Sequence, residues 1–172
     1  QPVPSLLRSF SAPVVLDDGL SDADLLVLAS HDADAFNRWE AAQRLMLQCL
    51  LTAVKNAAEP VLDAALVLAL RGVLRHPTLD AALKELVLTP PPEGYVAEQL
   101  DSVDPQRIHA VREQMRAALA TALHDDWLWA WDTHQLREGY APSVAQAGKR
   151  ALAGLALSML CLHARRSGDS VW

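Results

Sequence analysis

The residues whose types could do chemistry are few and scattered. There are six histidines, His31, His76, His109, His124, His134 and His163. His109 and Glu113 stand one helical turn apart, a spacing that lets two ligands share a helix face. Two ligands do not hold a metal, and there is no H-E-x-x-H to supply a fuller set. The pair reads as a solvated helix face. His124-Asp125-Asp126 with Asp132 is acid-rich, but on a helix these side chains point in different directions. Nucleophilic chemistry fares no better. No G-x-S-x-G is present, and Ser158 lies between Leu157 and Met159, where a satisfied core hydroxyl is expected. The adjacent carboxylates Asp17 and Asp18 face apart in any regular element, so they read as turn residues and not as an acid/base pair. The seven glycines are dispersed and form no phosphate-cradling loop.

The two cysteines, Cys49 and Cys161, lie inside apolar helical patterns. They are expected to be buried free thiols in a reducing compartment, which points to the cytoplasm. A single long-range disulfide is the alternative. Neither has a histidine placed by sequence to activate it.

The elements that hold these residues are almost all helical. The chain has 172 residues, with 51% apolar and 21% charged, enough for one domain with a core. The formal net charge is −6, and there is no basic stripe. That balance gives no general attraction for nucleic acid or anionic lipid. No apolar run reaches the roughly 18 residues that span a bilayer. A water-soluble domain with neither a nucleic-acid nor a membrane partner follows. The Gln1-Pro2-Val3-Pro4 start and the end beyond Ser167-Gly168-Asp169 both read as cuts.

Residues 1–16 stand apart, with three prolines and the alternating stretch Ser11-Ala12-Pro13-Val14-Val15-Leu16; extended conformation, as an edge strand or a linker, is expected there. From there, Ser21 with Asp24 opens a short helix over Leu25 to Ala29. Asp34 caps a long helix carrying Phe36, Trp39, Met46, Leu50 and Ala53 at helical spacing. Glu59-Pro60 restarts the chain into a helix over Val61 to Arg75, apolar almost all round and so expected to have neighbours on both sides. A short helix over Leu79 to about Val87 is stopped by Thr89-Pro90-Pro91-Pro92, and a small one follows over Glu93 to Leu100. Asp104-Pro105 opens one long helix to about His134, striped by Ile108, Val111, Met115, Leu119, Leu123 and Trp127. Pro142-Ser143 opens the last helix, with Val144, Gly148, Leu152, Leu155, Met159 and Leu162 at spacings of three or four. Connections are short, so successive helices should pack antiparallel. The predicted fold is all-α, an irregular stack of helical hairpins of the ARM/HEAT-like solenoid type behind a short extended N-terminal segment.

Trp127 and Trp131 share a helix face while Trp129 points away. Trp129 is therefore either core packed against another helix of this chain or an interdomain or peptide contact. Phe36 and Trp39 share a face and should anchor their helix. Arg38 and Glu40, two apart, cannot pair along one helix face, so Arg38 should bond a neighbouring element, Asp32 or Asp34.

Two segments carry a family resemblance. Residues 2–14, Pro2-Val3-Pro4-Ser5-Leu6-Leu7-Arg8-Ser9-Phe10-Ser11-Ala12-Pro13-Val14, are similar to the junction between the β-sandwich and helical domains of the M1 zinc aminopeptidase family, of the bacterial aminopeptidase N type. His31-Asp32 through Asp34-Ala35-Phe36-Asn37-Arg38-Trp39-Glu40-Ala41-Ala42-Gln43 resembles the "D-x-F-x-R-W-[ED]-A" start of that helical domain. Val103-Asp104-Pro105 with Val111-Arg112-Glu113 is a weaker match. The resemblance implies residues 1–16 as the end of a β-sandwich domain or a linker, and residues 17–172 as the first part of the C-terminal helical domain. It implies a parent that releases N-terminal residues from peptides, with zinc held by a separate catalytic domain, and a helical domain that covers the active site and limits peptide access. The expected partners are the parent's remaining domains and, through the parent, its peptide substrates. None of the family's catalytic motifs occurs here, so no catalytic, cofactor-binding or metal residue is carried over, and this chain alone is expected to be no enzyme. The other reading is a free-standing α-solenoid that binds proteins. A truncated solenoid leaves an apolar face uncapped, so the isolated chain is expected to self-associate through Pro142 to Leu162.

Overall fold

The computed structural model describes residues 2–11, 14, 17–137 and 139–168, with Phe10 described by its backbone alone. Among them are eight α-helices and no strand. They are α1 (Asp22–His31), α2 (Ala35–Lys55), α3 (Ala64–Arg75), α4 (Ala81–Leu88), α5 (Glu93–Ala97), α6 (Pro105–Ala122), α7 (His124–His134) and α8 (Val144–Ser167).

Local chemistry fixes most helix starts. Ser21 and Asp24 form a reciprocal capping box at α1, the Asp34 carboxylate accepts from the Asn37 amide at α2, and Ser143 caps α8. Two starts lie later than the prolines suggest. Asp63 accepts from the Ala65 amide and Asp80 from Ala82, so α3 and α4 begin three and two residues beyond the expected Val61 and Leu79. A carboxylate that captures free amide donors outcompetes a nearby proline for the first turn.

The expected single helix from Pro105 to His134 is two. The chain breaks at Leu123, which leaves helical geometry at φ −115° and ψ 23° and both ends α6 and precedes α7. The apolar stripe nevertheless continues through the break, and Leu119, Leu123 and Trp127 are all wholly buried. A guanidinium stabilises the corner, since Arg71 Nη2 donates to the Ala122 carbonyl at 3.1 Å.

The stacking is irregular. α1 packs on both α2 and α3, while α8 receives α4, α6 and α7. Successive helices are not always the main partners, because the long α8 runs under three others. Gly148 permits a close crossing of α8 and α4. A Cβ there would lie 2.9 Å from the backbone nitrogen of Ala82 on α4. α3 has the neighbours expected of it, packing against α1, α2, α4 and α7, but one strip stays open among the described residues, where Leu68 is 61% exposed.

Residues 1–16 were expected to be extended. Arg8–Phe10 instead form one 3-10 turn, with Leu7 and Ser9 at positive φ. Residues 12, 13, 15 and 16 of the expected strand lie outside the described set. The turn is pinned to the start of α2. The Asn37 side-chain amide donates to Ser5 Oγ at 2.9 Å, the Ser9 amide donates to Asp34 Oδ2 at 2.8 Å, and Arg8 Nη1 lies 3.9 Å from Asp32 Oδ1.

Candidate functional site

The structure disperses the catalytic candidates and commits most of them to structural bonds. His109 Nδ1 lies 2.8 Å from Glu93 Oε1 on α5, while Glu113 pairs with Arg116. His124 meets Asp125, Asp132 meets Arg137, and Asp126 holds Arg71 and Arg75 at 2.8 and 2.7 Å. The Ser158 hydroxyl donates to the Leu155 carbonyl. No group of three or more His, Cys, Asp or Glu side chains converges as a metal site among the described residues. Zinc, the metal the family resemblance implies for a parent enzyme, has no fitting donor set in them.

The cysteines are free, but neither is fully buried. Cys161 is exposed on α8, and Cys49 is half-buried. The helical pattern placed Cys161 in the core; it falls instead on the outward side of α8. Cys49 lines a groove of about 590 Å³ between α1, α2 and the 56–63 loop, and its thiol donates to the Val61 carbonyl. Burial pushes that thiol's pKa up, against the lowering effect of the bond to Val61.

Arg38 is buried and bonds main chain. Its Nε and Nη2 donate to the Asp32 carbonyl and its Nη1 to Ser30. The sequence correctly pointed Arg38 out of its own helix toward residue 32, but the acceptors are carbonyl oxygens and not a carboxylate. Phe36 and Trp39 touch, with ring centroids 5.7 Å apart, and both are half-buried. Trp39 borders the core cluster.

Trp129 sits where α3, α4 and α7 meet, packed against the core cluster. Its ring carries the Arg75 guanidinium 4.4 Å from the centroid and the Lys84 ammonium at 5.9 Å, and His134 meets it edge-on at 5.7 Å. These contacts are all within the chain, and the ring remains partly exposed. Lys84 is only 4% exposed. Burial pulls its ammonium pKa below the usual lysine range, while Asp80 acts in the opposite sense. His134 Nδ1 donates to the Ala130 carbonyl at 2.9 Å, which makes Nδ1 a protonated nitrogen. Burial lowers its pKa first, and Lys84 and Lys149 add to the effect. Sequence reading passed over Lys84. The available signal was its spacing, four residues before Leu88 on an apolar helix face.

Three comparisons bear on this fold. Residues 22–171 match the family model described as "Domain of unknown function (DUF3458_C) ARM repeats". The chain belongs to the DUF3458_C family. The DUF3458_C domain is the C-terminal domain of M1 aminopeptidases. Aminopeptidase N of Escherichia coli (strain K12) is 37% identical over 172 residues, covering 98% of this chain and 20% of that protein. Aminopeptidase N of Caulobacter vibrioides is 36% identical over 151 residues, covering 88% of this chain and 18% of that protein. The crystal structure of Legionella pneumophila aminopeptidase A in complex with aspartic acid superposes with a TM-score of 0.81 at 27% identity, covering 97% of this chain and 20% of that one. This DUF3458_C chain thus spans about a fifth of the length of the aminopeptidases it matches. The helical-stack expectation and the family resemblance both hold. No helix among the described residues is long and apolar enough to cross a membrane.

Proposed function

We propose that this DUF3458_C chain is the first part of the non-catalytic helical domain of a cytoplasmic, zinc-dependent aminopeptidase N, where it covers the active site and restricts which peptides enter. One observation carries the reading: nearly the whole chain aligns with a fifth of an aminopeptidase N. The engagement of His109 with Glu93, of Glu113 with Arg116 and of Asp126 with Arg71 and Arg75 supports it, because these candidates serve the packing of the helices and do not converge on one site. In this reading residues 1–16 enter from a β-sandwich domain and residues 17–172 belong to the helical domain. Arg38, Phe36 and Trp39 anchor the domain's first hairpin, and the exposed part of Trp129 meets another domain. Zinc and the peptide-bond chemistry belong to the parent's catalytic domain.

The test compares the purified chain with its parent. The chain is expected to bind no stoichiometric zinc and to leave an alanyl anilide intact. The parent is expected to cleave it, with turnover falling as peptide substrates lengthen. Turnover by the pure chain, or a parent indifferent to substrate size, overturns the reading. The free chain is also expected to self-associate through the outward side of α8, and a strict monomer at high concentration in light scattering refutes that part.

A further inference from the structure

The groove beside Cys49 has an apolar floor and a rim charged with one sign. Leu45 and Ala53 of α2 and Leu66 of α3 line it as buried residues, and Leu26 of α1 joins them half-buried. The exposed carboxylates Asp22, Glu59 and Asp63 also line it. Asp63 Oδ1 is engaged in capping α3, 2.6 Å from the Ala65 amide. Asp22 and Glu59 have no ion-pair partner among the described residues. No lysine, arginine or histidine is among the described residues that line the groove.

The loop that forms one wall is held in place. α2 ends in a Schellman closure, in which the Ala58 amide donates to the Ala53 carbonyl at 3.0 Å and the Ala57 amide to Val54 at 3.3 Å, with Ala57 left-handed at φ 49°. Arg107 of α6 then donates through Nη2 to the Ala53 and Ala58 carbonyls, so its guanidinium braces the wall without lining the groove. A wall already ordered spares a ligand the cost of ordering it.

A volume of about 590 Å³ falls within the range of small-molecule sites, whose usual make-up is an apolar lining with a few polar groups. The floor selects an apolar body, and the sign of the rim selects a cation. We infer that this groove binds a small free organic cation, an ammonium carried on an arylalkyl or alkyl body. The body lies over Leu45 and Leu66, and the ammonium faces the acidic rim. A neutral molecule of the same shape gains from the floor alone, and an anion is repelled. The inference does not rest on the aminopeptidase reading, because every residue it uses belongs to this chain.

Cys49 reports occupancy, since it lines the groove, and the exposed Cys161 is the internal control. Iodoacetamide labelling of both thiols is timed by mass mapping at constant pH and ionic strength, with phenethylammonium, phenethyl alcohol or hydrocinnamate added. Phenethylammonium is expected to slow Cys49 saturably, with a dissociation constant on the order of 5 mM, and to leave Cys161 unchanged. The alcohol is expected to bind about fivefold more weakly, the contrast that exposed and screened carboxylates support. Hydrocinnamate is expected to give no protection. Asp22→Asn combined with Glu59→Gln is expected to bring ammonium and alcohol within about twofold of each other. The inference is overturned by no saturable slowing of Cys49 up to about 50 mM ammonium, by equal slowing of the two thiols, by equal protection from ammonium and alcohol, or by a contrast that survives undiminished in the double variant. The ammonium–alcohol contrast uses the unaltered chain, so it decides the matter even if the double variant fails to fold.

Discussion

Arg38 Nε and Nη2 both donate to the carbonyl oxygen of Asp32, at 3.1 and 2.6 Å, in the buried turn between α1 and α2. A planar fork thereby closes the first hairpin through main chain, with Nη1 reaching the Ser30 carbonyl at 3.1 Å. Arg38→Ala orphans both carbonyls and is expected to cost about 2–4 kcal/mol. Arg38→Lys keeps the charge but loses the fork, at about 1–2 kcal/mol. Urea unfolding monitored by circular dichroism reads both, and a lysine variant as stable as the wild type would show that charge alone suffices.

Asp126 joins α3 to the break between α6 and α7. Its side chain is 10% exposed, but Arg71 and Arg75 are 42% and 38% exposed, so water screens much of the attraction. Asp126→Ala is expected to cost about 1–2 kcal/mol after that discount. Arg71→Ala should cost less in the Asp126→Ala background than in the wild type, which a double-mutant cycle measures.

The two interior glycines of α8 predict opposite signs for one substitution. A Cβ at Gly148 would press on the Ala82 backbone nitrogen at 2.9 Å, whereas one at Gly154 meets nothing within 4 Å. Gly148→Ala is expected to destabilise by about 1–3 kcal/mol, and Gly154→Ala to stabilise by about 0.5–1 kcal/mol. Thermal unfolding of the two variants side by side checks the contrast.

Acid should destabilise the fold in two stages. Burial depresses the His134 pKa, so this residue contributes stability that is present above its unfolded value of about 6.5 and is lost as pH falls through the lower folded value. Below that, Asp18, held down by Arg44, and Asp34, held down by the Asn37 amide, contribute stability present above about 3.9 and lost on further acidification. Glu40 works the other way, since burial raises its pKa and stability from its neutral form fades as pH rises. His134→Gln is expected to remove the first stage from a plot of unfolding free energy against pH and leave the second.

The thiols should be told apart by alkylation. Cys161 is exposed, while Cys49 is half-buried with its pKa pushed up by burial. Iodoacetamide at neutral pH is expected to label Cys161 first and Cys49 slowly. Mass mapping of the first equivalent onto Cys49 would contradict the placement of both.

Much of this fold was legible in local sequence. Ser21, Asp34 and Ser143 announce their helices because capping is a short-range competition for free amides. The repeated Leu-Asp-Ala-Ala-Leu at 62–66 and 79–83 carried the same signal, and the prolines beside it drew the reading too early. The break at Leu123 had no local marker, neither glycine nor proline. The guanidinium that takes up the Ala122 carbonyl belongs to Arg71, 51 residues away in sequence. The Trp129 corner was half legible. Helical angles separated Trp129 from Trp127, but the cations over its ring arrive from α3 and α4, and no pattern within α7 shows that.

The pinning of Ser5, Arg8 and Ser9 bypasses α1 and fastens the N-terminal segment to the turn before α2 and to its first residues. Mechanically this is a load path. Tension applied at the N-terminus enters the start of the second helix directly, through the bonds to Asp34 and Asn37, without first passing along α1. α1 stays clamped by its own packing on α2 and α3 and by the Arg38 bonds to its C-terminal turn, so orientation at this end of the chain is set by the 21-residue α2.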